Sequence, residues 1–188
     1  MARIATGALK GLTLTIPQHI RATEDKVRQA LFNIVGSHVE GANVLDGFAG
    51  SGALGLEALS RGADRVVFLE SHPECLRAIR ANVAKLSPEA MVGIWEIVQG
   101  DVLSRLPAVA QRFGVFDLVL LDPPYDGPWG KKALHVVAAC GILAPAGLVC
   151  LEHARQSQIS QAVGPLKRMT QHRYGDTVLS FYQLAGST

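Results

Sequence analysis

Short apolar runs of strand length alternate with stretches of helical periodicity over most of this chain. Five runs are predicted to be strands: residues 44–46, 65–70, 93–99, 116–121 and 147–152. Helices are predicted between them at residues 53–61, 73–86 and 131–140. This alternation is typical of a mostly parallel sheet, because each right-handed crossover places a helix against one face of the sheet. The predicted class is therefore α/β, with helices on both faces of the sheet.

The alternation stops toward the C-terminus. Residues 166–174 and 177–184 have the pattern of two strands, and they are joined by the turn residues Gly175 and Asp176. Two strands with so short a connection predict an antiparallel hairpin.

The N-terminal residues also depart from the alternation. Residues 3–6 and 12–16 predict a small hairpin, and a helix is predicted over residues 24–38 with Thr23 as its N-terminal cap. We therefore divide the chain into an N-terminal extension (residues 1–40) and a main domain (residues 41–188).

Composition excludes several classes of protein. Apolar residues make up 48% of the chain, which is enough for a sizeable core and too much for a disordered protein. No apolar run is long enough to cross a membrane, and the first residues lack the pattern of a secretion signal. The three cysteines lie far apart, which fits reduced thiols better than disulfides or a zinc site. We expect a cytoplasmic protein with no membrane segment and no metal.

The formal net charge of +2 is unevenly distributed, with basic side chains in excess near both ends. Such a distribution could hold a polyanion near a site in the middle of the chain. The best candidates for phosphate contacts are Arg3, Lys10, Arg21, Lys26 and Arg28. An ordinary solvated surface explains the same charges, and Arg28 could equally cover an apolar stripe.

The most informative motif is Asp122-Pro123-Pro124-Tyr125, which follows the fourth predicted strand. Two successive prolines end a strand and stiffen the turn after it. The Asp122 carboxylate and the Pro123 carbonyl form a pair of hydrogen-bond acceptors, and Tyr125 offers a ring for stacking. This set suits a planar group with an exocyclic amine, such as a nucleobase. The motif therefore predicts chemistry on an amine.

A glycine-rich turn, residues 46–52, joins the first predicted strand to its helix. Glycines let the backbone approach a ligand closely, and a helix N-terminus offers unpaired N–H groups. Residues 50–55 match the dinucleotide pattern G-x-G-x-x-G, so a dinucleotide-dependent oxidoreductase is one alternative. Asp46 argues against it, because a carboxylate at this point repels a pyrophosphate.

Acidic residues follow three successive predicted strands: Asp46, Glu70 and Asp101. The carboxyl ends of parallel strands meet at one edge of a sheet, so these three side chains are expected to line one crevice. A nucleoside with a cationic, amino-acid-like tail fits such a crevice, and S-adenosylmethionine is such a ligand. For Asp101 alone, a role as a helix cap is the better explanation.

Four segments of the chain resemble the bacterial RsmD family of class I S-adenosylmethionine-dependent methyltransferases. They are residues 21–33, 45–62, 122–125 and 174–177, and the resemblance extends over nearly the whole chain. Ala22 departs from the pattern, because the family usually has proline at this position.

The resemblance implies a Rossmann-like fold with a mostly parallel, seven-stranded sheet and a C-terminal antiparallel hairpin. It also implies methyl transfer to the N2 amine of a guanine in 16S ribosomal RNA. The substrate would be the RNA or the assembling 30S particle, and the enzyme a monomer. The tetrad alone leaves adenine N6 and a protein glutamine open as alternative methyl acceptors.

The resemblance and the patterns together assign site residues to three roles. The expected catalytic residues are Asp122, Pro123, Pro124 and Tyr125. The expected cofactor-binding residues are Asp46, Gly47, Phe48, Ala49, Gly50, Ser51, Gly52, Glu70, Ser71, Asp101 and Val102. The expected RNA-binding residues are Arg3, Lys10, Arg21, Thr23, Lys26 and Arg28.

Overall fold

The computed structural model describes residues 2–18, 25–87 and 92–186, and within these ranges one mixed sheet forms the centre of the molecule. Its strands are β1 (Asn43–Gly47), β2 (Arg65–Glu70), β3 (Ile94–Gln99), β4 (Phe116–Leu121), β5 (Leu143–Ala154), β6 (Ala162–Val163), β7 (Leu166–Tyr174) and β8 (Thr177–Leu184). Their spatial order is β3-β2-β1-β4-β5-β8-β7-β6. Strands β1 to β5 pair in parallel, whereas β8 is antiparallel to both β5 and β7.

The sheet confirms the predicted α/β class and the C-terminal hairpin. Its number of strands differs from the expected seven. The described residues contain eight strands, because the two-residue strand β6 adds to the edge beside β7. So short a pairing carries no period-2 pattern, and the sequence therefore gives no signal for it.

Helices cover both faces of this sheet. Those described are α1 (Asp25–Val35), α2 (Ala53–Ser60), α3 (Pro73–Val83), α4 (Val102–Phe113) and α5 (Trp129–Cys140), with a short 3-10 helix at Gly36–Val39. Buried residues of α1, α2 and α3 belong to one hydrophobic cluster, and those of α4 and α5 belong to a second. Val44 and Leu45 of β1 fall in different clusters, because successive side chains of a strand point to opposite faces.

Helix α4 has no counterpart among the predicted helices. Pro107 lies inside it, and an internal proline removes a backbone N–H and normally argues against a helix. The helix forms nevertheless, because Leu106, Val109 and Phe113 are buried in the core on one of its faces. No helix among the described residues combines the length and the apolar character needed to span a lipid bilayer.

The N-terminal extension pairs with itself only briefly. Ile4 N donates to Leu12 O (3.0 Å), Leu14 N donates to Ala2 O (3.0 Å), and one isolated antiparallel bridge joins Arg3 to Thr13. The predicted hairpin is thus present as a single bridge without extended strands. Ile4 and Leu14 belong to the same hydrophobic cluster as the residues of α2, so residues 2–14 share the core of the main domain.

Side chains of α2 hold this extension in place. Ser60 Oγ donates to Thr6 O and accepts a hydrogen bond from Leu9 N (2.9 Å). Glu57 Oε2 accepts a hydrogen bond from Ala5 N (2.8 Å). Helix α2 begins directly after the glycine-rich turn, which is part of the predicted ligand site. The extension therefore contacts the helix that follows this site.

Candidate active site

A cavity of about 670 Å³ opens at the carboxyl edge of the parallel strands. This is the point where the strand order reverses, between β1 and β4, and open α/β sheets bind their ligands there. The volume lies within the roughly 300–1,000 Å³ range that is usual for small-molecule sites.

Most of the predicted site residues line this cavity. Those that do are Phe48, Ala49, Gly50, Ser51, Glu70, Ser71, Asp101, Asp122, Pro123, Pro124 and Tyr125. Four others do not reach its surface: Asp46, Gly47, Gly52 and Val102. In the chain, these four are neighbours of residues that line the cavity.

The glycine-rich turn has a constrained backbone. Phe48 adopts a positive φ of 62°, which is uncommon for a residue with a bulky side chain and typical of strained ligand-binding turns. Gly52, at the start of α2, has a φ of 79° and needs the freedom of glycine. A Cβ on Gly55 would lie 2.3 Å from the ring of Phe68, so glycine is required there for α2 to pack closely on β2.

Asp46 lies beneath this turn and is 1% exposed. Its Oδ2 accepts a hydrogen bond from Gly55 N (2.8 Å), whereas its Oδ1 is buried and has no hydrogen-bond partner among the described residues. Burial raises the pKa of Asp46 well above its usual value; the Gly55 hydrogen bond opposes this shift, and Asp122 and Glu70 add to it. The raised pKa favours the neutral carboxyl, and its Oδ1 has capacity for one more hydrogen bond.

Glu70 braces the same turn from the end of β2. Its Oε2 accepts a hydrogen bond from Gly50 N (2.8 Å), and its Oε1 accepts from Ser71 N (2.7 Å) and His72 N (2.8 Å). Three backbone donors thus fix the carboxylate at the cavity wall. A carboxylate has about four acceptor positions, so the contacts leave capacity for a ligand hydroxyl.

Asp101 serves as the N-terminal cap of α4. Its Oδ1 accepts a hydrogen bond from Ser104 N (3.0 Å), as the capping explanation predicts. The residue is exposed and also lines the cavity. Capping and ligand contact are therefore compatible at this position.

The proline-rich tetrad forms the wall opposite the glycine-rich turn. The Tyr125 hydroxyl lies 2.7 Å from Glu152 Oε1, to which it donates, and 3.0 Å from Thr177 Oγ1. Burial, together with the charge of Glu152, raises the pKa of Tyr125, so the phenol stays protonated. Because its hydroxyl is held by β5 and β8, the Tyr125 ring has a fixed position in the cavity.

Eight lining residues were not among the predicted site residues, and two of these eight are buried polar residues: Glu152 and Thr177. Glu152 ends the predicted strand 147–152, so the rule that identified Glu70 at a strand end would also have identified it. Thr177 comes to this edge only because β8 runs antiparallel to β5, and a linear pattern does not show that pairing. Both side chains are buried and polar.

The lining is acidic. Its carboxylates come from Glu70, Asp101, Asp122, Asp126 and Glu152, and no described lining residue is lysine or arginine. A pyrophosphate would meet repulsion without a compensating cation. The cavity therefore favours a ligand with hydrogen-bond donors and a positive charge.

Thiol chemistry is not favoured at this site. Cys75 is the cysteine that lines the cavity, and burial raises its pKa to about 11. The thiolate, which is the nucleophilic form, is therefore scarce near neutral pH. Among the described residues no group of three His, Cys, Asp or Glu side chains is arranged to hold a metal ion.

The expected RNA-binding residues separate into three groups. Arg3, Lys10 and Lys26 are exposed and available to a phosphate. Arg21 and Thr23 lie outside the described residues. The expectation for Arg28 is wrong, because its side chain is fully buried.

Arg28 instead belongs to an internal ion-pair network. It donates to the backbone oxygen of Arg3 and to Asp25 Oδ1 (2.8 Å), and its Nε lies 3.6 Å from Glu57 Oε2. Glu57, itself fully buried, also accepts a hydrogen bond from Arg61 Nε (2.9 Å). The arginine therefore joins α1 to α2 and to the first residues of the N-terminal extension.

The family described as "Conserved hypothetical protein 95" matches residues 2–183 of the chain. "Ribosomal RNA small subunit methyltransferase D" of Haemophilus influenzae is 33% identical over 152 residues, which cover 80% of this chain and 77% of that protein. The Escherichia coli protein with the same name is 34% identical, covering 80% and 73% of the two chains. The solved structure of a hypothetical protein from Thermus thermophilus superposes with a TM-score of 0.81 at 27% identity, covering 98% and 100% of the two chains.

Proposed function

The chain belongs to the family described as Conserved hypothetical protein 95, and from this membership we propose that it transfers a methyl group from S-adenosylmethionine to the exocyclic N2 amine of a guanine in small-subunit (16S) ribosomal RNA. It is a methyltransferase with a Rossmann-like fold. The observation that carries the proposal is the pair Asp122 and Pro123 in one cavity with the anchored Tyr125 ring.

The cavity fits S-adenosylmethionine by its chemistry. The acidic lining suits an ammonium-bearing, phosphate-free nucleoside, and the buried Oδ1 of Asp46 lacks a partner among the described residues. Glu70, fixed by three backbone donors, is placed to accept ribose hydroxyls. When bound, the cofactor supplies a methyl group activated by a sulfonium.

We assign the cofactor to the glycine-rich turn and to the ends of β2 and β3. Phe48, Gly50 and Ser51, which line the cavity, would hold it together with Glu70 and Asp101 on the neighbouring strand ends. Gly47 and Gly52 would act by shaping the turn, and Asp46 would offer beneath it the Oδ1 that lacks a partner among the described residues.

The chain's own residues prepare the amine. The lone pair of a guanine N2 is delocalised into the ring, so the amine is a weak nucleophile. Hydrogen bonds from its two hydrogens to the Asp122 carboxylate and the Pro123 carbonyl favour a pyramidal nitrogen with a localised lone pair. Tyr125 holds the plane of the base by stacking, which contributes about 1–3 kcal/mol for a base on an aromatic ring. Most of the acceleration then comes from positioning and fixed dipoles.

In this proposal, residues of the N-terminal extension contact the RNA. Arg3, Lys10 and Lys26 are exposed and would bind phosphates, which position the RNA without identifying its sequence. We further propose that the protein acts as a monomer in the cytoplasm, on the RNA or on the assembling 30S particle.

Methyl transfer from labelled cofactor to purified small-subunit RNA and to small-subunit particles tests the proposal. After digestion to nucleosides, the label is expected in N2-methylguanosine. Label in N6-methyladenosine or in a protein glutamine would support the alternative acceptors instead. Calorimetry adds a second check: binding of NADH without binding of S-adenosylhomocysteine would favour an oxidoreductase.

A further inference from the structure

Asp122 and Glu152 lie side by side at the carboxyl edge of the sheet. Leu121, the last residue of β4, pairs in parallel register with Leu151 of β5. Asp122 directly follows Leu121, and Glu152 directly follows Leu151. Neighbouring strands lie about 4.8 Å apart, and residues in register on parallel strands point to the same face. Both side chains accordingly line the same cavity.

Glu152 is a buried carboxylate in a binding cavity. It is 5% exposed, and its Oε1 accepts a hydrogen bond from the Tyr125 hydroxyl (2.7 Å). Thr177, which is 4% exposed, holds the same hydroxyl from the other side at 3.0 Å. A carboxylate offers acceptors only, so a substrate that reaches Glu152 must present a hydrogen-bond donor there.

Purine edges differ at the atom next to the reactive amine. In guanine, the N2 amine is flanked by N1–H, which is a donor. In adenine, the N6 amine is flanked by an unprotonated N1, which is an acceptor. With the amine at Asp122 and Pro123, the neighbouring carboxylate of Glu152 would bind the guanine edge and repel the adenine edge.

We propose that Glu152 determines the specificity of this enzyme for guanine by accepting the N1–H of the target base. The inference rests on the proposed function, since it assigns a role to one more residue of the same cavity. Asp122 and Pro123 select an amine, Tyr125 selects a flat ring, and Glu152 selects the ring nitrogen beside the amine.

A base analogue tests this contact. 2-Aminopurine keeps the exocyclic N2 amine but carries an acceptor at N1. It also lacks the O6 oxygen of guanine, so the N1 contact is assigned from the change in substrate preference that a Glu152 variant produces. The analogue is placed at the methylated position of a ligated small-subunit RNA, once that position has been mapped. A site built to hydrogen-bond a donor rejects an analogue that lacks it by a factor of about 10⁴–10⁵, so wild-type kcat/KM should be well over 100-fold lower on 2-aminopurine.

The substitution Glu152→Gln exchanges one acceptor oxygen for a donor NH₂ and keeps an oxygen for the Tyr125 hydroxyl. We expect kcat/KM on guanine to fall and the preference for guanine over 2-aminopurine to narrow to within about tenfold. Thr177→Val is the matched control. It removes the other contact to the Tyr125 hydroxyl and leaves the Glu152 carboxylate. It should therefore reduce kcat/KM on guanine and on 2-aminopurine by the same factor.

The outcomes separate the inference from the proposed function. If wild-type protein methylates no guanine in the RNA, the proposed function fails. If wild-type protein is active but E152Q lowers kcat/KM on both substrates by the same factor, as T177V does, the specificity role is overturned. Glu152 would then only position Tyr125. A change in the substrate ratio that E152Q produces and T177V does not would support the role.

Discussion

The hydroxyl of Tyr125 donates a 2.7 Å hydrogen bond to the carboxylate of Glu152. This bond connects the loop that follows β4 to the end of β5, and Thr177 at the start of β8 completes the connection at 3.0 Å. Three strands therefore fix one aromatic ring at the cavity. A ring held in this way is ordered before a base arrives, so less conformational entropy is lost when the base stacks on it.

Replacing Tyr125 by phenylalanine removes the anchor and keeps the ring. We expect kcat/KM to fall about tenfold or more, since a hydrogen bond to a charged group is worth about 1.5–3 kcal/mol. Tyr125→Ala also removes the stacking surface and should cost a further factor of about 10–100. Steady-state methyl transfer measures both variants. Wild-type kinetics for Y125F would show that the anchor does not matter.

Asn82 connects the N-terminal extension to the glycine-rich turn. It is fully buried on α3; its Nδ2 donates to Thr15 O (2.9 Å) and Ser51 O (2.9 Å), and its Oδ1 accepts from Thr15 N (2.7 Å). Asn82→Ala leaves these groups without partners, so we expect a loss of about 1–3 kcal/mol in the free energy of unfolding. Binding of S-adenosylhomocysteine should weaken with it, because Ser51 lines the cavity.

Denaturant unfolding and calorimetry measure the two effects of Asn82→Ala. The exposed Asn33 on α1 offers the matched control, since the same substitution there removes no buried contact. Unchanged cofactor affinity in N82A would show that the extension and the turn are independent.

The basic residues of the extension should differ in the way they affect RNA binding. Arg3→Gln, Lys10→Gln and Lys26→Gln each remove an exposed charge. A residue that contacts a phosphate should lower affinity and reduce the slope of log affinity against log salt by about 0.7–0.9. Titrations of RNA binding at several salt concentrations measure both quantities.

Arg28→Met should behave differently from those variants. Its side chain is buried beside Glu57, and breaking a buried ion pair costs about 3–5 kcal/mol of stability. The salt slope should stay at the wild-type value under conditions in which the variant is folded. A reduced slope would mean that Arg28 reaches the RNA, against its burial.

Asp46 should make the stability of the ligand-free protein depend on pH. Burial raises its pKa in the folded state above the usual 3.8, so the folded protein holds this proton more tightly than the unfolded chain. The resulting stabilisation is complete below about pH 4 and is lost as the pH rises through the raised pKa. Asp46→Asn should remove this loss, which unfolding curves from pH 4 to pH 8 would measure. The exposed Asp64→Asn is the control, and identical pH profiles for wild type and D46N would contradict the assignment.

Local patterns were sufficient to predict the strands that carry the site. Predicted strands 65–70, 116–121, 166–174 and 177–184 are confirmed with the same bounds, because each is a compact run ended by an acidic residue, a proline or a turn. Since the carboxyl ends of parallel strands share one edge, Asp46, Glu70 and Asp101 were expected to line one crevice. Glu70 and Asp101 line the cavity, whereas Asp46 lies beneath the glycine-rich turn and is not among the lining residues.

Tertiary partners explain what the sequence did not reveal. Arginine is usually exposed, and the burial of Arg28 depends on Glu57, which comes from a different helix. Thr177 reaches the cavity through strand pairing. Helix α4 contains Pro107 and forms because its apolar face packs on the sheet. The stabilisation from this burial outweighs the low helix propensity of proline.

The central claim is that the acceptors at Asp122 and Pro123 act on the amine and do not merely shape the cavity. Asp122→Ala tests it in one preparation, with methyl transfer to small-subunit RNA and calorimetric binding of S-adenosylhomocysteine measured side by side. The exposed Asp64→Ala, at the opposite edge of the sheet, controls for the loss of a charge. We expect N2-methylguanosine formation to fall at least about 100-fold while the ligand affinity stays close to that of wild type. Methyl transfer by D122A at the wild-type rate would contradict the account.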